Sequence, residues 1–326
     1  MSEAMVPKTI LLLCRSRNQD LLVAAYNQLV RRNLLPFGIN VEVNPSSERI
    51  ETLRTTTQCL IFFELRPERP DESTLQLASI RKKFSNAGHQ IVLLASSQFD
   101  YLSLALQFDI GNILLDNLFD IHVIAALTKK LLTDDFFGFS AFFPNGYPVF
   151  DRKYEIKGDV KISRLEETFF QDFIDTLEEE QRHNFSFYIT ELAVNALAYG
   201  VYGITAEERD QEGTALPPVI QVPDREAIHV HIVRDFEKYG ISVIDQKGTL
   251  RSSRILKKIR RHSSFIPGEL PPGIEDTSGR GLFLLSQQTR LVVNILLNQK
   301  TEVILMHFFD EKKNKYQNLI INEKHP

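Results

Sequence analysis

Short apolar runs alternate with longer mixed segments from residue 8 to about residue 132. The runs read TILLLC, INVEV, CLIFFEL, QIVLLAS and GNILLD. Stretches of this length, rich in Ile, Leu, Val and Phe, predict strands, and an unbroken apolar run suits a strand covered on both faces. The mixed segments near 20–32, 47–55, 72–86 and 118–132 are expected to be helices. Strands that alternate with helices in this way predict a parallel sheet with helices on both sides.

After Leu132 the pattern changes to TDDFFGFSAFFPNGYPVFDRKYEIKGD, rich in Phe, Gly, Pro and Asn. A linker is expected here, with a turn at Asn145-Gly146, a hairpin, and phenylalanines packed between two domains. A helix near 162–180 would place Leu165, Phe169, Phe173, Ile174 and Leu177 on one face. In the next segment Phe185, Tyr188, Ile189, Leu192 and Ala196 recur at three- and four-residue steps, the apolar face of a second helix. Gly200 would end that helix with a left-handed cap. Residues 239–244 read as a strand that delivers Asp245 at its end. Further on, Gly279 and Gly281 flank Arg280 and lead into Leu282, Phe283, Leu284 and Leu285, so a glycine turn opens a helix. Between these elements, residues 201–227 carry Glu207, Glu208, Arg209, Asp210, Glu212, Pro217 and Pro218, as expected of a surface loop.

A chain of 326 residues makes two domains the natural expectation. Its hydrophobic fraction of 43% and charged fraction of 25% are those of a globular protein. A net charge of −4 gives no global attraction to nucleic acid or to an anionic membrane. Cys14 and Cys59 lie in apolar runs and read as reduced core thiols. No signal peptide and no run of membrane-spanning length is apparent, so a soluble, cytoplasmic protein is expected. The histidines show no metal-ligand spacing; His229 and His231 share a strand face and read as solvated sheet positions.

The candidate chemistry lies in the second half. Glu191 and Asn195, four residues apart, share a helix face away from the apolar one. An Asn amide oxygen can ligate Mg²⁺ while a carboxylate one turn earlier orients a water or accepts a proton, chemistry that a triphosphate site requires. A buried carboxylate at Asp245 could accept a hydrogen bond from an adenine amino group. The helix start at Gly279, Arg280 and Gly281 offers free N–H groups to phosphate oxygens.

In this order the three segments resemble the ATP-binding domain shared by DNA gyrase, heat-shock chaperones of the ninety-kilodalton class, histidine kinases and mismatch-repair ATPases, often called GHKL. The nearest pattern is that of its anti-sigma-factor serine-kinase branch. The family's first box is matched by Glu191, Asn195, Ala196 and Gly200, with Tyr199 where His is usual, and its last by Gly279, Gly281 and Leu282. Its middle box, Asp-x-Gly-x-Gly, reads Asp245, Gln246, Lys247, Gly248 and Thr249, so both glycines are replaced and Gly248 offers the permissive position. The resemblance spans about 162–309. It implies an α+β sandwich of the Bergerat type that binds Mg·ATP, with Asn195 as metal ligand and Glu191 as base. Asp245, Gly248, Gly279, Arg280, Gly281 and Leu282 would hold the nucleotide. It also implies a Ser/Thr protein kinase, or a regulator that sequesters a sigma factor, acting on an anti-anti-sigma-like or sigma-like partner. A histidine-kinase role is disfavoured, because no helix-borne His with the usual charged neighbour precedes the first box by a hairpin's length.

The first half resembles, in element order and size, the receiver domain of two-component signalling, a flavodoxin-like α/β fold. Its catalytic positions are changed. Cys14, Arg15, Ser16 and Arg17 stand where a receiver has acidic residues, Glu64 where the phosphoacceptor Asp would be, Ala95 beside Ser96 for its hydroxyl residue, and Asp116 for its Lys. Two alternatives follow: a pseudo-receiver that docks partners or forms a homodimer through its last helix, or a purely structural domain. Taken together, the expected domains are 1–134, a linker 135–160, and 161–326. Between Asp245 and Gly279 a basic lid carries Arg251, Arg254, Lys257, Lys258, Arg260, Arg261 and His262, with Pro267, Pro271, Pro272 and Gly273 beyond them. It could contact triphosphate, dock an acidic partner, or simply be a solvated face. A non-catalytic adaptor is the alternative for the whole chain.

Overall fold

A computed structural model describes residues 7–33, 35, 38–85, 88–96, 100–115, 121–132, 136–139, 142–143, 148–204, 216–263, 280–310 and 319–324. The chain forms two compact units, Met1–Pro144 with Asn318–Asn322, and Asn145–Gln317 with Glu323–Pro326. Among the described residues no helix is long and apolar enough to cross a membrane.

The first unit is α/β. Its elements are β1 (Lys8–Leu13), α1 (Ser16–Arg31), β2 (Ile39–Val43), α2 (Ser47–Thr56), β3 (Gln58–Glu64), α3 (Pro70–Lys83), β4 (Gln90–Ala95), α4 (Tyr101–Phe108), β5 (Asn112–Leu115) and α5 (Ile121–Leu132). The strands are parallel in the order β2-β1-β3-β4-β5, a doubly wound arrangement. The central strands bury both faces, as their unbroken apolar runs require: Ile10, Leu11, Leu60, Ile61, Val92 and Leu93 are inaccessible to solvent. Local chemistry sets the helix starts. Ser46 caps α2 by accepting from the Arg49 N–H at 3.2 Å, Pro70 opens α3, and Asp100 caps α4 by accepting from the Ser103 N–H at 3.1 Å.

Two parts of this unit differ from the sequence reading. Helix α4 was not anticipated, although Asp100 is a good cap and YLSLALQF is strongly helix-forming. The C-terminal segment also joins the unit: in the strand Leu319–Lys324, Leu319 pairs antiparallel with Ile113 and Ile320 with Asn112. The Ile321 N–H donates to the Gly111 carbonyl at 3.1 Å, so closely that a Cβ on Gly111 would lie 2.9 Å from that of Ile321. Part of the expected linker belongs here too. Phe136, Phe139 and Phe142 are buried, and the buried Lys130 ammonium of α5 donates to the carbonyls of Phe136 at 3.1 Å and Gly138 at 3.0 Å. The Asn145-Gly146 turn lies outside the described residues.

The second unit is α+β. It comprises β6 (Phe150–Ile156), β7 (Gly158–Lys161), α6 (Leu165–Phe169), α7 (Gln171–Ile174), α8 (Glu179–Ala196), β8 (Val219–Val222), β9 (Ile228–Arg234), β10 (Lys238–Asp245), α9 (Ser252–Ser263), α10 (Arg280–Gln288), β11 (Arg290–Leu296) and β12 (Lys300–Phe308). Its main sheet is antiparallel in the order β11-β12-β10-β9-β6, and β7 pairs with β8 apart from it. Helix α8 packs on β10, burying Phe185, Tyr188, Ile189, Leu192 and Ala196 as their spacing predicts.

The single helix expected over 162–180 is instead broken at Phe170, whose φ of −126° departs from helical geometry. The break turns Phe170 inward in place of Phe169, and Phe170, Phe173 and Leu177 are buried. They join an aromatic core in which the Phe173 ring lies 4.9 Å from Phe185 and 5.7 Å from Tyr239. Exchanging helical hydrogen bonds for buried aromatic area is favourable here, since each such ring removes 150–250 Å² or so from water.

Candidate functional site

Helix α8 carries Glu191 and Asn195 as neighbours one turn apart on a half-buried flank, held there because Leu192, Ala193 and Ala196 are buried between them and the sheet. The helix does not stop at a left-handed glycine. It continues as one π-type turn, Leu197–Val201, and Gly200 is buried within it; Gly203, with φ of 64°, takes the left-handed conformation instead. Gly200 is required by close approach. A Cβ there would stand 3.1 Å from Asp245 Cγ and closer still to Asp245 Cβ. A π-turn offsets the helix by one residue and brings backbone where a regular turn would not, a feature common at functional sites.

Asp245 ends β10 and is only 6% exposed. Its Oδ1 accepts hydrogen bonds from the N–H groups of Lys247 at 2.9 Å and Gly248 at 3.1 Å. Burial pushes its pKa above the ordinary carboxylate value, and those two N–H groups pull it back. One carboxylate oxygen therefore fixes the turn.

Gly248 has φ of 59°, so the permissive position suggested by the sequence is real. Its place is beneath the β11–β12 turn: a Cβ would be 2.8 Å from the Gln299 and Lys300 nitrogens, and its carbonyl accepts from Asn298 at 3.1 Å. Lys247 is drawn to another side, donating to the Val201 carbonyl at 2.6 Å and standing 3.8 Å from Glu226.

At the third segment, Gly281 is the second residue of α10 and lies against the Glu191 carboxylate. A Cβ at Gly281 would be 2.8 Å from Glu191 Cδ and would overlap its Oε2. Gly279 lies outside the described residues, and of Arg280 only the backbone, at the start of α10, is described.

Two adjoining recesses share Asn195, Tyr199, Leu250 and Leu282. The larger encloses about 390 Å³, part of it open to solvent, and is completed by Leu192, Ala196, Val243, Asp245, Thr301 and Val303. The smaller, about 340 Å³, is completed by Arg254, Ile255 and Lys258. In this conformation each is narrow, with free width for little more than one water.

No protein-family model and no curated protein matches this chain.

Thr301 is a site residue that sequence reasoning missed. It pairs in register with Asp245, is 2% exposed, and lies beside that carboxylate, favouring its ionised form. Its hydroxyl falls outside hydrogen-bond geometry there and is left without a partner among the described residues. Nothing in the sequence signals this, because the register between β10 and β12 is set by distant pairing.

The basic lid divides by direction. Helix α9 buries Ile255, Leu256 and Ile259, and Arg254 and Lys258 line the smaller recess. Arg251 lies 3.6 Å from Glu323, while Lys257, Arg260 and Arg261 are exposed. The side chain of His262, and Pro267, Pro271, Pro272 and Gly273, lie outside what is described.

In the first unit, the residues at the ends of β1 and β3 are engaged with one another. Glu64 accepts from the Arg15 N–H at 2.6 Å and from the Asn18 amide at 2.9 Å, and Arg15 also pairs with Glu68. The Cys14 thiol is pushed up to about 12, by burial first and by the Glu64 charge second. Asp116 lies outside the described residues.

Proposed function

We propose that the second unit is an adenine-nucleotide site of the GHKL type and that the protein is a cytoplasmic signalling protein that binds Mg·ATP. The reading extends to its closest pattern, the anti-sigma-factor serine kinases: phosphorylation of a Ser or Thr on a regulatory partner, or sequestration of a sigma-like one. One observation carries it. Asn195, Asp245 and Leu282, drawn from three separate segments, line a single recess, where the buried Asp245 carboxylate stands beside the Thr301 hydroxyl, which has no hydrogen-bond partner among the described residues.

In this reading Val243 and Val303 would supply the apolar wall for the base, Asp245 would accept from its amino group, and the Thr301 hydroxyl would be available to a ring nitrogen. Mg²⁺ suits the donor set. A small hard cation keeps several waters and takes one or two protein oxygens plus phosphate oxygens, and Asn195 with Glu191 one turn before it offers that. Bound there, the ion would neutralise charge on the phosphates. Glu191 would orient the attacking hydroxyl and take its proton.

A non-catalytic adaptor is the second reading, and two observations favour it. Lys247 and Gly248 are committed to structural contacts in the middle box, where both of the family's glycines are replaced, and each Glu64 oxygen accepts a hydrogen bond where a receiver has its phosphoacceptor. Calorimetric titration of Mg·ATP into the protein and into Asn195→Ala and Asp245→Asn tests the proposal. Binding that is lost or strongly weakened in both variants supports it; no binding to the wild type at millimolar nucleotide refutes it.

A further inference from the structure

We infer that β2, the open edge strand of the first unit, is a self-pairing surface: a second copy of this chain extends the sheet there, with the two β2 strands antiparallel about Val41.

The backbone is set for such a pairing. β2 ends the sheet and, among the described residues, pairs with β1 alone. The Asn44 N–H donates to the Leu12 carbonyl at 2.9 Å, so by the alternation of a strand the N–H and C=O groups of Ile39, Val41 and Val43 point away from β1, to the open side. An edge of this kind is a template for another strand unless charge, proline or a bulge blunts it. β2 carries no Lys and no Pro, and its one charged residue, Glu42, is held by Arg49 of α2 through bonds of 3.1 Å. The edge strand of the second unit is protected by contrast: Asp151, Arg152, Lys153 and Glu155 stand exposed along β6.

The side chains select the partner. INVEV has the same apolar and polar pattern read in either direction from Val41. In an antiparallel pair centred there, Val41 meets the partner's Val41, Ile39 meets the partner's Val43, and Asn40 meets the partner's Glu42. Val41 and Val43 lie on the α1 face of the sheet: they are in register with Ile10 and Leu12, Leu12 is in register with Phe62, and the Phe62 ring is 6.1 Å from that of Tyr26 on α1. Each is 37% exposed in the single chain. Pairing would join Ile39, Val41 and Val43 of both chains into one apolar column. On the other face an Asn amide meets a carboxylate, donor against acceptor, and no like charges are opposed. The outward backbone groups of Val41 would bond those of the partner's Val41, so backbone direction and side-chain facing agree on one register. A pattern symmetric about its own centre is what a two-fold interface requires. Helix α5, the other surface the sequence offered for a homodimer, has Val123 to Thr128 and Lys130 to Leu132 buried.

The test is sedimentation velocity over a concentration series on wild type, Val41→Lys and the control Leu75→Lys at an exposed apolar position on α3, with circular dichroism to verify folding, together with oxidative cross-linking of Val41→Cys and Val43→Cys. A strand pair of this length makes a small interface, so wild type is expected to pass from monomer to dimer as concentration rises. Val41→Lys sets two ammonium groups against each other and should weaken the dimer at least about tenfold. Leu75→Lys should match wild type within about twofold. Cys14 and Cys59 are buried, so cross-linking reports the added thiol. Val41→Cys should give a disulfide-linked dimer, because opposed residues of an antiparallel pair lie about 5.5 Å apart at Cα, within disulfide reach; Val43→Cys should not, since each thiol would face the partner's Ile39. Wild type that stays monomeric at every concentration overturns the inference, as does a dimer that Val41→Lys leaves intact. Cross-linking of Val43→Cys as readily as Val41→Cys overturns the pairing about Val41, and the cross-linking pair decides the matter by itself if Val41→Lys fails to fold.

Discussion

His307 lies on β12 beneath helix α8, with its Nδ1 3.2 Å from the Tyr188 hydroxyl and its ring 5.1 Å from that of Tyr239. It is 8% exposed, and burial pushes its pKa down to about 4. In the unfolded chain the same side chain titrates near 6.5 or so. Between those values the unfolded state holds a proton that the native state does not, so stability rises with pH through that window and is lost as pH falls through it. Below about pH 4 the full loss would be roughly 3 kcal/mol, and between pH 7.5 and pH 5 about 2 kcal/mol. His307→Gln removes this contribution. The wild type should thus lose about 2 kcal/mol more than the variant over that interval. The chain has no tryptophan, so urea unfolding is best followed by far-ultraviolet circular dichroism at both pH values. Because Tyr188 shares α8 with Glu191 and Asn195, the acid loss should also loosen the recess. Equal pH dependence in wild type and His307→Gln would refute the reasoning, as would a wild type more stable at pH 5.

Gly200→Ala gains helix propensity of about 1 kcal/mol but forces its Cβ into Asp245. Stability should therefore change by less than about 2 kcal/mol while adenosine binding falls at least tenfold or so in calorimetry; unchanged binding would contradict the contact. Phe173→Ala should cost about 3–5 kcal/mol in urea unfolding, since that ring is fully buried among Phe150, Phe185 and Tyr239; a loss below about 1 kcal/mol would mean that the site relaxes. With the Cys14 thiol pushed up to about 12, native protein at pH 8 should resist alkylation there and react only with added urea, read by peptide mass spectrometry.

Periodicity carried much of the fold. The strands of the first unit follow directly from TILLLC, CLIFFEL and QIVLLAS, because a strand buried on both faces needs an unbroken apolar run. Helix α8 follows as plainly from its spacing. What escaped was non-local. The C-terminal strand joins β5 from some two hundred residues away in sequence, and the short apolar run Leu319, Ile320, Ile321 does not say which edge it will extend. The helix break at Phe170 is decided by aromatic packing that local propensity cannot express. At the candidate site, the placement of Glu191 and Asn195 one turn apart on a helix and of Asp245 at a strand end was legible from short spacings. Gly200 was legible as a glycine but its reason was not, since only the approach of Asp245 explains it. Thr301 and the division of the basic helix into inward and outward cations depend on register and facing, which the sequence holds only implicitly.

The central claim is that segments around Asn195, Asp245 and Leu282 act together on one nucleotide. Hydrogen exchange with saturating Mg·ATP against the protein alone measures this directly. Slowed exchange in peptides covering 189–204, 243–258 and 280–288 together, with the first unit unchanged, is the predicted result. Protection confined to one of the three, or unchanged exchange in all of them, would contradict it.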